Sequence, residues 1–400
     1  MSFLSTVRGR IVAVSAVLLI GLNLRPALAG ISPLLDAIQS STGISGTTAG
    51  LLTTLPILAM GLCALLGEAL NNRLGERWGI TLGVVAIAAA CALRFGEPGA
   101  PTLLATAVLA GLGIAMAQAL LPYFLKRTFP EDPGRITGLY VTAIMAGAAL
   151  GAALSPSLAK AASWSFALGL WALPALIALA LWQAAARRHR CSTAQPRRSV
   201  GPARAAQTTR RLWRELRTWE LVLLFGIGTG AFTLILAWLP PYYTALGWSP
   251  SAAGLMLGGI NLAEVGSGLA VSAWIGRFPD RRGPLLFVLT CLLAGLACLV
   301  LIPESAPVLV CVLLGIGIGA LFPLTLIVTI DHRTDPAEAG ALAAAVQGGG
   351  YVLASLMPVL AGMLRDHFAD LTQAWVGMGA CVLLLMLLTL RFSPASYRTA

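Results

Sequence analysis

Twelve stretches of this chain are apolar over about 18 or more residues, the length at which a helix crosses a ~30 Å hydrocarbon layer. They fall at about 11–35, 48–69, 79–96, 101–124, 136–158, 164–186, 218–243, 251–275, 284–302, 306–330, 340–363 and 373–390. No water-soluble core accommodates such a pattern: 58% of the 400 residues are hydrophobic and 11% are charged. Inside lipid each segment must satisfy its own backbone polar groups, so each is read as a helix. The 43 glycines suit close helix approach in that medium. The expected fold class is an all-α polytopic membrane protein with twelve transmembrane helices.

The distribution of charge orients the spans. With the N-terminus inside, 23 of the 27 basic residues fall in inside segments. Arg94, Lys160 and Arg365 fall outside, and Arg25 lies within a span. By the positive-inside rule both termini are cytoplasmic, and the protein belongs in the cytoplasmic (inner) membrane. The asymmetry also accounts for the net charge of +11 without nucleic acid. Residues 187–217, RRHRCSTAQPRRSVGPARAAQTTRRLWRELR, form a basic linker between the sixth and seventh spans.

The two sides of that linker repeat. GISGTTAGLL (43–52) matches GWSPSAAGLM (247–256), and GLGIAMAQALLP (111–122) echoes GIGIGALFP (315–323). RTFPEDPG (127–134) echoes RTDPAEAG (333–340). Two six-helix bundles are expected, residues 1–186 and 218–400, with a solute site between them near the midplane.

The first span carries an anomaly, GLNLRPALAGISPLL at 21–35, with Asn23, Arg25 and Pro26 inside an apolar run. One reading is a secretory signal peptide cut after Ala27-Leu28-Ala29, which would leave eleven spans. Another is an arginine that snorkels to the lipid headgroups. A mid-membrane arginine costs about 2.5–3.5 kcal/mol on insertion scales. The thirteen Leu, Ile and Val of 11–35 offset this, so the segment still inserts. The third reading, favoured here, is a charge facing an aqueous cavity. Pro26 cannot donate to the Leu22 carbonyl, so a bend is expected beside the charge. A guanidinium keeps its proton and offers a planar donor fork, which suits a small anion.

The loop GRFPDRRG (276–283) fits G-x-x-x-D-R-x-G, and EALNNRLGER (68–77) keeps Arg73, Gly75 and Arg77 in the same loop of the first half, with Asn72 at the acidic position. With twelve spans and a basic central loop, the chain resembles the major facilitator superfamily. The resemblance implies a conformational latch at Asp280, Arg281 and Gly283, with a less faithful copy at Arg73 and Arg77. LNLRPALAGISPLL (22–35), AGLLTTLPILAMG (49–61), GLGIAMAQALLPYFLKR (111–127), AWLPPYY (237–243) and VQGGGYVLA (346–354) look like the cyanate permease branch of that superfamily, which also includes nitroimidazole transport proteins.

Glu264 is the other ionisable residue in mid-span. It could be the counter-ion of Arg25, a proton carrier or a packing residue. Gln118 and Gln347 are lone amides that either orient a solute or bond between helices. Trp238 either caps the solute or joins Tyr242 and Tyr243 in an interfacial belt. Tyr351 lies one turn from Gln347 on the same helix face. The seven cysteines and three histidines form no metal spacing. GIGTG (226–230) and GIGIG (315–319) lie inside spans and read as packing glycines, and no phosphate-binding GxxxxGK[ST] motif is present.

The expected function is a secondary or facilitative transporter of a small cyanate-like anion, without cofactor or metal. Arg25, Asn23, Gln118, Gln347, Trp238 and Tyr351 are the candidate solute contacts, with Glu264 as counter-ion or proton site. The alternative is an exporter of a nitroimidazole or another small organic anion or drug. The partners are then the solute, a proton where Glu264 acts as the proton site, and the bilayer; a monomer is expected. A membrane-embedded enzyme would need a nucleophile and base, or metal ligands, at depth; a receptor would bind the solute without flux.

Overall fold

The computed structural model describes residues 7–129, 133–188 and 210–393. Its regular structure is helical among those residues. Among the described residues, twelve helices are long and apolar enough to cross a membrane: α1 (Gly9–Thr42), α2 (Gly46–Leu66), α3 (Arg73–Ala92), α4 (Ala100–Leu125), α5 (Ile136–Ala161), α6 (Trp164–Ala186), α7 (Leu216–Ala245), α8 (Pro250–Arg277), α9 (Arg282–Leu301), α10 (Pro307–Asp331), α11 (Glu338–Phe368) and α12 (Thr372–Thr389). They form two six-helix bundles. The basic linker falls largely on residues 189–209, outside the described residues, as do the side chains of Glu68 and Asn72. With twelve spans in series, the start of α1, the end of α6, the start of α7 and the end of α12 face one side, called the linker side below; the other is the far side.

The internal repeat has a structural cause. Gly43 ends α1 at φ 69°, and Gly247 follows α7 at φ 95°. Both backbones are left-handed, where a β-carbon is strained. Two residues later Ser45 and Ser249 cap α2 and α8, accepting from the amides of Thr48 and Ala252 at 3.2 Å. The matched segments are therefore the same helix stop and start, written once in each half. Gly75, at φ 68°, kinks the otherwise continuous helix Gly46–Ala92 near the start of α3. A β-carbon there would meet nothing within 4 Å, so its conformation rather than space demands glycine.

α1 departs from the expected simple bend. Regular α-helix stops at Asn23, a four-residue helix Pro26–Ala29 follows, then a 3-10 turn Ser32–Leu34 and a helix Leu35–Thr42. Proline supplies no amide, and the Leu24 amide turns back to Gly21 O at 3.1 Å. The broken segment lies on a stripe of small residues in α5. A β-carbon at Gly147 would collide with the Leu22 carbonyl oxygen, and one at Gly151 would sit 2.8 Å from Pro26 Cα. The Gly/Ala-rich sequence of α5 thus lets an irregular backbone stay buried in protein, the condition under which lipid tolerates it.

On the far side the bundles are tied together. Asp366 of α11 accepts from the Gly46 and Thr47 amides at the start of α2, at 2.7 and 2.8 Å, and from Thr47 Oγ1 at 2.7 Å. Arg365 lies 3.5 Å from Asp36 and donates to Gln39. Ser32 Oγ donates to Ala237 O at 2.8 Å. In this conformation the far side is closed.

Candidate functional site

Arg25 stands at the break in α1, in the middle of that span and only 6% exposed. Among the described residues nothing hydrogen-bonds its guanidinium, and Nε is fully buried without a partner. The guanidinium carbon lies 5.2 Å from the centre of the Phe232 ring on α7. Tyr351 on α11, Glu264 on α8 and Tyr140 on α5 are the titratable groups near enough to interact with it. The break therefore places one cation where both halves contribute side chains.

Glu264 interacts electrostatically with Arg25 but closes no salt bridge with it among the described residues. It is 5% exposed, and α10 packs against its backbone: a β-carbon at Gly319 would collide with Glu264 Cα and O. Ser267 Oγ, one turn on, donates to Gly315 O at 3.0 Å. The glycines of GIGIG thus bring α10 against the segment that carries Glu264, as small residues do in lipid.

Tyr351 packs edge-on against Phe225, centroids 5.3 Å apart. Asn23 is buried and donates to Leu19 O at 2.7 Å, so part of its amide is spent on its own helix. Gln118 and Gln347 are half-buried, and among the described residues neither amide has a hydrogen-bond partner. The interhelical bond considered for them is not made.

Trp238 needs correction as a solute contact. It is fully buried, its indole donates to Pro358 O at 2.8 Å, and Arg365 stacks 5.4 Å from its ring centre. It presents no surface to a solute here and belongs to the far-side closure. The belt alternative fails as well. Tyr242 and Tyr243 are buried and donate to Leu299 O and Pro303 O, at 2.7 and 3.0 Å.

The latch also differs from expectation. Arg281 reaches Asp331 at the end of α10 at 3.0 Å, and its Nη1 donates to the carbonyls of Ile275 and Phe278. Asp280 stays within its own loop. It accepts from the Arg282 amide at 3.0 Å, and the Arg282 guanidinium holds its carboxyl below the usual carboxylate range. Gly283 is unremarkable in φ and space, so glycine is not required there. In the first half Arg73 is exposed and Arg77 lies against Trp78; no ion pair involves either among the described residues. Glu76 and Arg127 form the pair instead, at 2.9 Å.

Two residues escaped the reading of the sequence. Tyr140 is 5% exposed, its hydroxyl is buried without a partner, and it packs against Gly21 of α1. A lone tyrosine in ITGLYVTAIMAG was a usable signal, but near a span end it resembles an interfacial residue. Arg94, counted as a far-side loop charge, is wholly buried. Its Nη1 donates to Ala27 O at 2.7 Å, and its Nε to Thr106 Oγ1 at 3.1 Å.

Comparison with known proteins places these features. The profile of the Major Facilitator Superfamily matches residues 17–358. The cyanate transport protein CynX of Escherichia coli (strain K12) is 35% identical over 380 residues, covering 95% of this chain and 96% of that protein. The 2-nitroimidazole transporter of the same strain is 32% identical, covering 94% of each chain. Among solved structures, a D-xylose-proton symporter superposes with a TM-score of 0.74 at 16% identity, covering 96% of this chain and 98% of that one, which establishes likeness of fold. The chain is therefore a membrane transporter and not an enzyme, and it belongs to the Major Facilitator Superfamily, in the branch of the cyanate and 2-nitroimidazole transport proteins.

Proposed function

We propose that the protein carries a small anion, cyanate first among candidates, across the cytoplasmic membrane by alternating access. The observation that carries this reading is Arg25: a guanidinium in mid-span, nine-tenths buried, with no hydrogen-bond partner among the described residues. Leaving a buried charge uncompensated is costly, and a bound anion removes that cost. Residues 1–186 rock against 218–400, with 187–217 as a cytoplasmic linker and both termini cytoplasmic. The far-side contacts part, and the site is offered to each side in turn. Tyr140, Tyr351 and the free amides of Gln118 and Gln347 orient the anion. Glu264 is the counter-ion or the proton site, and the transporter works as a monomer.

The aromatic surroundings of Arg25 support a second cargo. Phe232 against the cation, with Tyr140 and Tyr351 nearby, also suits a flat organic anion such as a nitroimidazole, moved outward. Uptake of labelled cyanate into proteoliposomes, with and without excess 2-nitroimidazole, separates the two. Cyanate flux that 2-nitroimidazole leaves untouched supports the first cargo. Flux of the nitroimidazole alone supports the second. Binding of either without flux contradicts both and describes a receptor.

A further inference from the structure

Arg94 has no place in the solute site, yet it is the wholly buried cation nearest in contact to the broken segment that carries Arg25. The break explains why. In a continuous helix the Ala27 carbonyl would accept from the Ile31 amide. Here the Ile31 amide turns to Leu28 O at 3.2 Å, and the Gly30 amide to Pro26 O at 2.9 Å. Ala27 O is left over, inside the protein, where an unpaired carbonyl is costly. Arg94 Nη1 fills that vacancy at 2.7 Å.

The guanidinium is itself aimed. Its Nε donates to Thr106 Oγ1 at 3.1 Å, and that hydroxyl donates onward to Leu103 O at 2.8 Å. Three elements meet at one side chain: the end of α3, the start of α4 and the break in α1. A planar fork fixed at two points sets direction as well as distance, which a flexible ammonium does not. Ala27 is two residues from Arg25, so rotating the Ala27 peptide turns the short helix whose first position follows Arg25.

We propose that Arg94 is a positioning residue for the anion site, clamping the Ala27 carbonyl so that the break in α1 directs Arg25 towards Phe232 of the second half. The inference rests on the reading of Arg25 as the partner of the anion. A purely structural Arg94 would hold the fold without setting where residue 25 points.

The test uses the full-length protein with its seven native cysteines replaced by alanine and Arg25→Cys introduced. The rate at which a sulfonate-bearing thiosulfonate modifies the introduced thiol reports how residue 25 is presented between the halves, whatever the cargo is. Adding Arg94→Gln is expected to change that rate by about tenfold, the equivalent of one decade in an equilibrium. Arg94→Lys should restore part of it. Thr106→Val should shift it in the same direction by less, and serves if Arg94→Gln does not fold. With Arg25 intact, Arg94→Gln should raise the KM for cyanate while kcat is largely kept. Unchanged labelling in both Arg94→Gln and Thr106→Val overturns the inference. Changed labelling in a protein that moves no anion leaves Arg94 as a positioning residue and refutes the anion reading instead.

Discussion

Arg281 holds Asp331 at 3.0 Å where the α8–α9 loop meets the end of α10, and the first half makes the same junction with the charges exchanged, Glu76 to Arg127 at 2.9 Å. The repeat thus keeps an interaction while losing the residue types that carry it. Sequence motifs follow residue types, so the first-half pair was invisible to them.

The two pairs should differ in strength. The Arg281 side chain is 16% exposed and also binds two carbonyls, whereas Arg127 is 54% exposed. Arg281→Ala is expected to destabilise the protein by about 1–3 kcal/mol, and Arg127→Ala by less than about 1 kcal/mol. Thermal unfolding in detergent measures both. Exchanging Glu76 and Arg127 together should recover most of the single-variant loss, a coupling that a double-mutant cycle reads directly. Equal costs for Arg281→Ala and Arg127→Ala would show that the extra carbonyl bonds contribute nothing.

The far-side closure should depend on Asp366. Its carboxylate takes three hydrogen bonds from the start of α2, and rocking must break them. Hydrogen bonds to a charged group contribute about 1.5–3 kcal/mol each. Asp366→Ala should therefore enlarge the far-side-open population by about tenfold or more. Pulsed spin-label distances between the far ends of α1 and α11 give that population. A distribution identical to wild type would mean the closure is held elsewhere.

Glu264 should link flux to pH. If its protonation releases Arg25 for the anion, acidifying the side of loading accelerates uptake, and Glu264→Gln flattens the profile. Stopped-flow uptake between pH 5 and 8 is the measurement. A profile that Glu264→Gln leaves intact would assign coupling to another group and leave Glu264 a packing residue against Gly319.

His332 supplies a pH term in stability. Burial pushes its imidazole down to about 4 from 6.5, with Arg217 and Arg333 acting in the same direction. Below 6.5 the unfolded chain binds a proton that the folded protein refuses, so stability is complete above that pH and is lost as pH falls towards 4. The expected loss between pH 7.5 and 5 is ~2 kcal/mol. His332→Gln should remove this part of the pH dependence of Tm; a slope unchanged by the substitution would place its origin in other groups.

Much of the architecture could be read without coordinates, because span length, loop charge and the Gly–x–Ser punctuation at 43–45 and 247–249 are local properties of the chain. Arg25 was equally legible: a charge beside a proline at that depth has few explanations. What stayed hidden depends on partners distant in sequence. Trp238 looked available until Pro358, 120 residues away, took its indole proton. Arg94 looked solvated because it follows a span, whereas its role comes from a carbonyl 67 residues earlier that only the break leaves free. Tyr140 joins the site because Gly21 opens room beside it.

The most direct measurement is cyanate flux into proteoliposomes by wild type, Arg25→Ala and Arg25→Lys, each matched for folded protein. Wild-type flux with loss in Arg25→Ala and a large loss in Arg25→Lys is the predicted result, because a point charge cannot replace the planar donor fork. Wild-type rates in both variants would contradict the account and make Arg25 a structural residue of the α1 break.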